Sequence, residues 1–320
     1  MWDGVEEMER LYLSWPSKLV EGFEKGLAAR ADGFRRVVFC GMGGSGVTGD
    51  MAGAVLGDEG VVSVTVKDAH PPRWISSEDL VIAVSYSGNT VETLKCLKES
   101  MEKAKTIVIT SGGRMREIAG SHGIPVVELT PGYYPRTAMA EMVGAALGVT
   151  GVVDKGLVGG AASELKPDTA YIRGLAERMA SSKYISIVSC SRLQPAARRL
   201  RSELAENSKM VAREEVYPES GHNDIVSWQQ PQDLGQSFLL LEWEGDETCR
   251  MLAGLLKDLY SRWGNVYGIR SSSGTLLGAL LDLSLQGGLL SVYLAGERGV
   301  DPRSTDVITL YKDIVKRVYR

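Results

Sequence analysis

The chain has 320 residues, 44% hydrophobic and 24% charged, a composition typical of an ordinary globular protein long enough for two domains. Its formal net charge at pH 7 is −4, so it lacks the basic excess typical of nucleic-acid-binding proteins, and no nucleic-acid partner is expected. No run of about 18 consecutive apolar residues occurs, so no membrane-spanning segment and no membrane partner are predicted.

The four cysteines, Cys40, Cys96, Cys190 and Cys249, lie far apart in sequence and form no CxxC pair. This spacing argues against a structural zinc site, and it also argues against a disulfide framework. We therefore expect buried, reduced cysteines, no bound metal and a cytoplasmic protein. The acidic, amphipathic start of the sequence predicts no signal peptide.

The first half of the chain alternates short runs rich in Val and Ile with helical patterns, such as the one at 91–103. Strands are predicted at 37–40, 61–66, 80–84, 106–110 and 125–129. Strands that alternate with helices indicate βαβ units, and continuously apolar strands indicate a parallel sheet covered on both faces.

The second half resembles a diverged copy of the first. A Gly-rich segment at 148–160 is interpreted as a linker, and strands are predicted at 184–188, 238–241 and 265–269. Helices are predicted at 167–181, 194–207, 276–294 and 304–318. The predicted fold is α/β, with two tandem domains at 1–150 and 151–320, each a mainly parallel sheet flanked by helices.

Two polar loops each follow a predicted strand of the first domain and precede a predicted helix. The first polar loop is GMGGSG at 41–46, and the second polar loop is SYSGNT at 85–90. The amino end of a helix offers unpaired N–H groups and a positive dipole end, which together bind anions. Ser85, Ser87 and Thr90 add hydroxyl donors, so the loops predict a pocket for a small phosphorylated metabolite.

A dinucleotide site is a rival interpretation, because the first polar loop fits GxGxxG and Asp68 follows at the end of the next predicted strand. The second polar loop favours a phosphomonoester instead. A nicotinamide site requires one Gly-rich turn and an acidic residue, whereas the three terminal oxygens of a phosphate can use a second, hydroxyl-bearing loop.

The two loops together resemble the sugar isomerase domain. Further motifs, in sequence order, are similar to those of the bifunctional phosphoglucose/phosphomannose isomerases of archaea and some bacteria: PGYYPRTA at 131–138, AENSK at 205–209, GHNDIV at 221–226 and GVDP at 299–302, followed by Lys312. The chain departs from the family's usual Asn-His-Asn-Glu string, because Gly221 and Asp224 replace its first and last residues.

The chemistry that such an enzyme needs restricts the candidates. Interconversion of an aldose and a ketose requires a carboxylate to move a proton between carbons 1 and 2, and a cation to stabilise the enediolate. Ring opening needs a further acid and base, and the histidine candidates are His70, His122 and His222. Glu203 and Glu206 lie one helical turn apart, and the sequence alone does not separate them.

The resemblance implies a role for each matching residue. It selects Glu206 as the base, places Arg136 over the enediolate, and assigns ring opening to His222 and Lys312. It associates Thr305 with tolerance of both epimers at carbon 2. The residues assigned to substrate phosphate are Gly44, Ser45, Ser85, Ser87 and Thr90.

The resemblance also implies sugar phosphates as small-molecule partners, no cofactor, and a homodimer in which the histidine comes from the partner subunit. Two other functions remain open from the sequence. A non-catalytic regulator that senses phosphosugars would keep both polar loops but would not need Glu206, His222, Arg136 and Lys312 together. A dinucleotide-dependent oxidoreductase would bind its nucleotide at the first polar loop.

Overall fold

A computed structural model of the protein describes residues 3–230 and 234–319. Its contacts divide the chain into two compact units. The sheet A unit comprises Ser14–Ala162 and Thr305–Arg320, and the sheet B unit comprises Met1–Leu13 and Ser163–Ser304. Domains at 1–150 and 151–320 stay a prediction, since each of these units combines two separate stretches of the chain.

The described residues form strands and helices that are numbered here in chain order. The strands are β1 (Arg36–Cys40), β2 (Ser63–Val66), β3 (Asp79–Val84), β4 (Lys105–Thr110), β5 (Val126–Glu128), β6 (Tyr184–Cys190), β7 (Val211–Tyr217), β8 (Gln236–Trp243) and β9 (Asn265–Ser271). The helices are α1 (Asp3–Leu13), α2 (Trp15–Ala28), α3 (Gly43–Asp58), α4 (Val91–Ser100), α5 (Gly113–Ser121), α6 (Met139–Thr150), α7 (Lys155–Glu164), α8 (Thr169–Met179), α9 (Gln194–Ser208), α10 (Glu247–Tyr260), α11 (Leu276–Glu297) and α12 (Asp306–Val318).

Sheet A is parallel throughout, with the strand order β2-β1-β3-β4-β5. Every residue of β3 is buried, as expected for a central strand covered on both faces. In the register of β1 and β3, Cys40 pairs with Ala83, so the polar loops that follow these two strands leave the sheet side by side. The α/β fold and the five strands predicted for the first domain are confirmed.

Helix α6 packs so closely against α2 that the backbones of the two helices are in contact. A Cβ at Gly22 would lie 2.1 Å from the Glu141 carbonyl oxygen, and a Cβ at Gly144 would lie 2.2 Å from the Leu19 carbonyl oxygen. The Gly-rich segment 148–160, interpreted from sequence as a linker, is largely helical in the structure, because it contains the end of α6 and the start of α7. Its first glycine, Gly148, therefore serves helix packing.

Sheet B is also parallel, with the order β7-β6-β8-β9. Strand β7 was not predicted, because its sequence VAREEVY has a charged centre. Helix α11 is long and apolar enough to cross a membrane, but that apolar window is fully buried within the protein. It packs against α1, α8 and α9, and the helix predicted at 276–294 is confirmed.

The expectation of reduced cysteines is wrong. Cys40 at the end of β1 is disulfide-bonded to Cys96 in α4, and Cys190 at the end of β6 is bonded to Cys249 in α10. The partners are 56 and 59 residues apart in sequence. They meet because α4, which follows β3, packs over β1, and α10, which follows β8, packs over β6. The cysteines therefore give no support to a reducing compartment.

Candidate active site

The first polar loop lies where α3 begins. Gly43 starts the helix with a φ of 55°, and Met42 occupies the N-cap position. Ser45 is 6% exposed, and its Oγ accepts a hydrogen bond from the backbone N–H of Tyr86 at 3.3 Å. Since the first N–H groups of a helix have no partners within it, Gly44 and Ser45 stand at a site suited to an anion.

The second polar loop places its hydroxyl groups at the start of α4. Ser85 is buried and donates a hydrogen bond from Oγ to Thr90 Oγ1 at 3.2 Å, whereas Ser87 is exposed. Gly88 has a φ of 66°, and a Cβ there would lie 1.8 Å from the Gly112 carbonyl oxygen, so the turn requires glycine. Thr90 is the N-cap residue of α4.

The helices of the two units differ in whether an N-cap side chain bonds to their first N–H groups. This difference favours the sheet A unit as the anion site. In the part of the chain that the structure describes, the N-cap side chains of α3, α4 and α5 make no capping hydrogen bond. In the sheet B unit, Asp168 caps α8, Asp246 caps α10 and Thr275 caps α11. Helix α9 begins at Gln194, and Pro195, its second residue, has no N–H group to donate.

Helices α4 and α10 are the clearest pair to compare. Each follows a strand, β3 or β8, that pairs in parallel with the first strand of its sheet. The carboxylate of Asp246 accepts a hydrogen bond from the Cys249 N–H at 2.9 Å and so supplies a negative charge at the amino end of α10. Thr90, at the same place before α4, is uncharged and its side chain makes no capping hydrogen bond, although Glu92 supplies one negative charge in the first turn of the helix.

Tyr86 connects the second polar loop to the segment that carries Arg136. Its hydroxyl donates to the Thr130 carbonyl oxygen at 2.8 Å and accepts from the Tyr133 N–H at 2.8 Å. Burial raises the pKa of this phenol, so it remains a hydrogen-bond donor at neutral pH. Arg136 is 3% exposed, and its guanidinium carbon lies 4.9 Å from the centroid of the Tyr134 ring. A buried cation thus belongs to the same unit as both polar loops.

Glu203 and Glu206 have different surroundings on α9. Glu203 is fully buried, and it accepts hydrogen bonds from the Tyr12 hydroxyl at 2.6 Å and from Arg199 Nε at 2.8 Å. Asn207 Nδ2 donates to it at 3.0 Å. Arg199 is itself 0% exposed, so the two charges neutralise each other inside the protein. Glu206 is only half-buried, and it is therefore the carboxylate of the two that a ligand can reach.

His222 lies at the end of a short 3₁₀ turn that follows β7, and it is exposed. The next turn, Asp224–Trp228, is held by the buried carboxylate of Glu215, which accepts a hydrogen bond from Trp228 Nε1 at 3.2 Å. Arg213 donates to the same carboxylate through Nη2 at 2.7 Å. The charged residues of β7 thus anchor the segment that continues from His222.

Thr305 and Lys312 belong to the sheet A unit. Thr305 is the N-cap residue of α12 and is half-buried, and Lys312 on the helix is exposed. Another face of α12 carries large apolar side chains that are 57–77% exposed, namely Val307, Leu310, Tyr311, Ile314 and Val318. Such a stripe is characteristic of a helix that contacts a partner.

The predicted site residues therefore fall into two groups. The sheet A unit holds both polar loops, Arg136, Thr305 and Lys312, and the sheet B unit holds Glu206 and His222. Among the described residues, no cluster of His, Cys, Asp or Glu could hold a metal ion. Tyr86 could not be recognised from the sequence, although it lies within the second polar loop, because its partners are more than forty residues away in sequence.

Comparisons with known proteins agree with this architecture. Residues 34–115 match the profile of the SIS domain, and residues 170–315 match that of the bacterial phospho-glucose isomerase C-terminal SIS domain. The C-terminal domain of the glucosamine-fructose-6-phosphate aminotransferase from Francisella tularensis has a similar fold, with a TM-score of 0.74 at 14% identity, over 93% of this chain and 98% of that one.

Curated relatives narrow the family. A D-glucosamine-6-phosphate 4-epimerase from Sulfolobus acidocaldarius is 28% identical over 94% of this chain and 95% of its own length. A bifunctional phosphoglucose/phosphomannose isomerase from Aeropyrum pernix is 37% identical over 95% of this chain and 97% of its own length. On the strength of this near full-length match, the chain belongs to the family of bifunctional phosphoglucose/phosphomannose isomerases.

Proposed function

We propose that this chain interconverts fructose 6-phosphate with both glucose 6-phosphate and mannose 6-phosphate. Family membership supports the reaction type. The observation that carries the proposal is the pair of polar loops at the uncapped amino ends of α3 and α4, in the unit that also contains the buried Arg136.

Substrate phosphate is assigned to the two polar loops. The N–H groups at Gly44 and Ser45 and the hydroxyls of Ser87 and Thr90 would donate hydrogen bonds to its three terminal oxygens. The Ser85 hydroxyl would do so by exchanging the hydrogen bond that it donates to Thr90. Charge-assisted hydrogen bonds of this kind are stronger than neutral ones. The negative charge of the phosphate would also be stabilised by the positive amino ends of both helix dipoles.

Glu206 is proposed as the base that moves the proton. As a carboxylate, it removes the proton from carbon 2 of the aldose or carbon 1 of the ketose, and the electron pair of that C–H bond forms the enediolate. The protonated Glu206 then returns the proton to the other carbon, while the hydroxyl proton moves between the oxygens at carbons 1 and 2, so no external acid or base is consumed. The guanidinium of Arg136 would stabilise the negative charge on the enediolate oxygens.

His222 and Lys312 are proposed to open the sugar ring, and Thr305 to determine which epimers form. Ring opening requires proton transfer to the ring oxygen and from the hydroxyl at the anomeric carbon, which is carbon 1 in the two aldoses and carbon 2 in fructose 6-phosphate. Glucose 6-phosphate and mannose 6-phosphate differ only in configuration at carbon 2. Mannose 6-phosphate therefore forms only if the proton is added to the face of carbon 2 opposite to the face that gives glucose 6-phosphate. The short Thr305 side chain would leave room for the rotation of the enediolate that presents this face.

We further propose a cytoplasmic homodimer that needs no cofactor. The exposed apolar face of α12 supports the association of two copies. The cytoplasm is favoured because charged sugar phosphates do not cross membranes unaided. Analytical ultracentrifugation at the assay concentration should give twice the mass of the chain, and a monomer would contradict the dimer.

The direct test is to incubate the purified chain with fructose 6-phosphate, without metal or nucleotide, and to follow the products by NMR. Both glucose 6-phosphate and mannose 6-phosphate should appear. Binding of fructose 6-phosphate without turnover would identify a regulator instead, and a requirement for a nicotinamide nucleotide would identify an oxidoreductase.

The phosphate assignment has its own test in the Ser87→Ala, Thr90→Ala double variant. Each lost hydrogen bond to a charged group is worth about 1.5–3 kcal/mol. The affinity for fructose 6-phosphate, measured by isothermal titration calorimetry, should therefore fall by at least about tenfold. Thr248→Ala on α10, whose amino end is capped by Asp246, is the matched control and should bind normally. Unchanged affinity in the double variant would place the phosphate elsewhere.

A further inference from the structure

Lys209, the residue that ends α9, has an unusual backbone conformation. Its φ is 56°, and within residues 3–230 and 234–319 it is the one non-glycine residue with a positive φ. Glycine is preferred at this position of a helix end, because a side chain is strained there. A lysine at such a position needs an explanation beyond ending the helix.

The backbone closes the helix without help from the lysine side chain. The Met210 N–H donates to the Leu204 carbonyl oxygen at 3.0 Å, which is the closure expected at a left-handed helix end. Arg298 Nε donates to the Ser208 carbonyl oxygen at 3.2 Å. A glycine at 209 would preserve both interactions and would lose only the contacts of the ammonium group, which include the carbonyl oxygens of Glu206 and Asn207 in the last turn of α9.

The ammonium group of Lys209 joins two segments of the sheet B unit. On α9, Nζ donates to the carbonyl oxygen of Glu206 at 2.6 Å. On the segment 301–304, it donates to the carbonyl oxygens of Asp301 at 3.0 Å and Ser304 at 2.8 Å. The positive charge also lies at the negative end of the α9 dipole, which strengthens these contacts.

The segment that Lys209 holds is fixed from its other side. Arg303 forms a two-pronged ion pair with the carboxylate of Asp301, with Nε–Oδ1 and Nη2–Oδ2 distances of 3.0 Å, and its Nη1 lies 3.3 Å from Glu7 Oε2 on α1. Ser304 is the last residue of this segment and is covalently bonded to Thr305. The segment 301–304 is therefore fixed within the sheet B unit up to the residue from which Thr305 continues.

We propose that Lys209 is a positioning residue, which holds the end of α9 that carries Glu206 against the segment from which Thr305 and α12 continue. This inference rests on the proposed function, because it assumes that Glu206 moves the proton and that Thr305 influences which epimer forms. The lysine tolerates its strained backbone because its ammonium group connects the two segments.

The test compares variants that suit the left-handed conformation. Lys209→Gly and Lys209→Asn both accept a positive φ and both remove the ammonium group. We expect an unchanged or higher thermal midpoint, because the backbone strain is relieved. We expect kcat to fall on the order of tenfold to a hundredfold, because reacting groups that shift slightly lose their alignment.

Two further readouts separate positioning from general damage. KM for fructose 6-phosphate should stay within about twofold, because the phosphate-binding loops belong to the sheet A unit and are not altered. The ratio of mannose to glucose 6-phosphate formed should change. Lys209→Arg should recover part of the lost kcat, and Lys166→Gly, at an exposed lysine between α7 and α8, should behave as wild type.

The results distinguish this inference from the proposed function. An active wild type with an unchanged kcat and product ratio in both Lys209→Gly and Lys209→Asn would overturn the positioning role alone. A fall in kcat that is matched by a lower thermal midpoint would show a purely structural lysine and would also overturn it. A wild type without isomerase activity would overturn the proposed function, and this inference with it.

Discussion

Replacing Glu203 by glutamine is expected to destabilise the protein, whereas the same replacement at Glu206 is expected to abolish the reaction and leave the fold intact. Both substitutions keep the side-chain shape and remove one negative charge. The two residues lie on the same helix, three positions apart, so each variant is the matched control for the other.

The size of the stability loss at Glu203 follows from its partners. The guanidinium of Arg199 is fully buried and would lose the negative charge that balances it. The new amide group would also face Asn207 Nδ2, which is already a donor. Breaking a buried ion pair by removing one charge costs about 3–5 kcal/mol. A loss of that size is a large part of the total stability of about 5–15 kcal/mol that is usual for proteins.

Glu206 is half-buried, and loss of its charge should change the free energy of unfolding by no more than about 1 kcal/mol. Activity should fall by a factor on the order of a hundred or more, because glutamine cannot accept the proton. Urea unfolding, followed by tryptophan fluorescence, measures the free energy of unfolding. Incorporation of solvent deuterium at carbon 2 during turnover measures the proton-transfer activity.

The reverse outcome would refute this reasoning. If the Glu203→Gln protein unfolds at the same urea concentration as wild type and no longer exchanges deuterium, the buried carboxylate is the base and the ion pair is not structural. If the Glu206→Gln protein keeps full exchange, Glu206 has no part in the proton transfer.

Two further predictions concern the other site residues. Thr305→Gln should reduce mannose 6-phosphate formation several-fold more than glucose 6-phosphate formation, because the longer side chain restricts rotation of the enediolate; a parallel loss measured by NMR would remove Thr305 from epimer selection. His222→Ala and Lys312→Ala should each impair turnover of the cyclic sugar more than that of an open-chain analogue. Equal losses on both substrates would exclude a role in ring opening.

The parts of the fold that the sequence predicted are those determined locally. The strands of sheet A are continuous apolar runs, and the polar loops that follow them are contiguous motifs, so both could be recognised without knowledge of the tertiary structure. Strand β7 was missed because its charged residues are balanced by tertiary contacts, in which Glu214 pairs with Arg198 and Arg201 of α9 and Glu215 accepts hydrogen bonds from Trp228 and Tyr260. These distant partners are not visible in the sequence VAREEVY.

Other features depend on contacts between distant residues. The Gly-rich end of α6 was interpreted as a linker because composition does not reveal that α2 packs against these glycines. Glu203 and Glu206 could not be separated because burial, and not residue type, distinguishes them. The disulfides could not be predicted because their partners are brought together only when α4 and α10 pack on their sheets.

The two disulfides close covalent rings that contain part of the proposed site, whereas Arg136, Thr305 and Lys312 lie outside them. The bond between Cys40 and Cys96 encloses both polar loops, and the bond between Cys190 and Cys249 encloses Glu206 and His222. Rings of this length lower the conformational entropy of the unfolded chain, and each ring thereby stabilises the folded state by about 4 kcal/mol. A local opening of either sheet would thus leave its set of reacting or binding groups tethered at both ends and ready to reassemble, whereas reduction would release them.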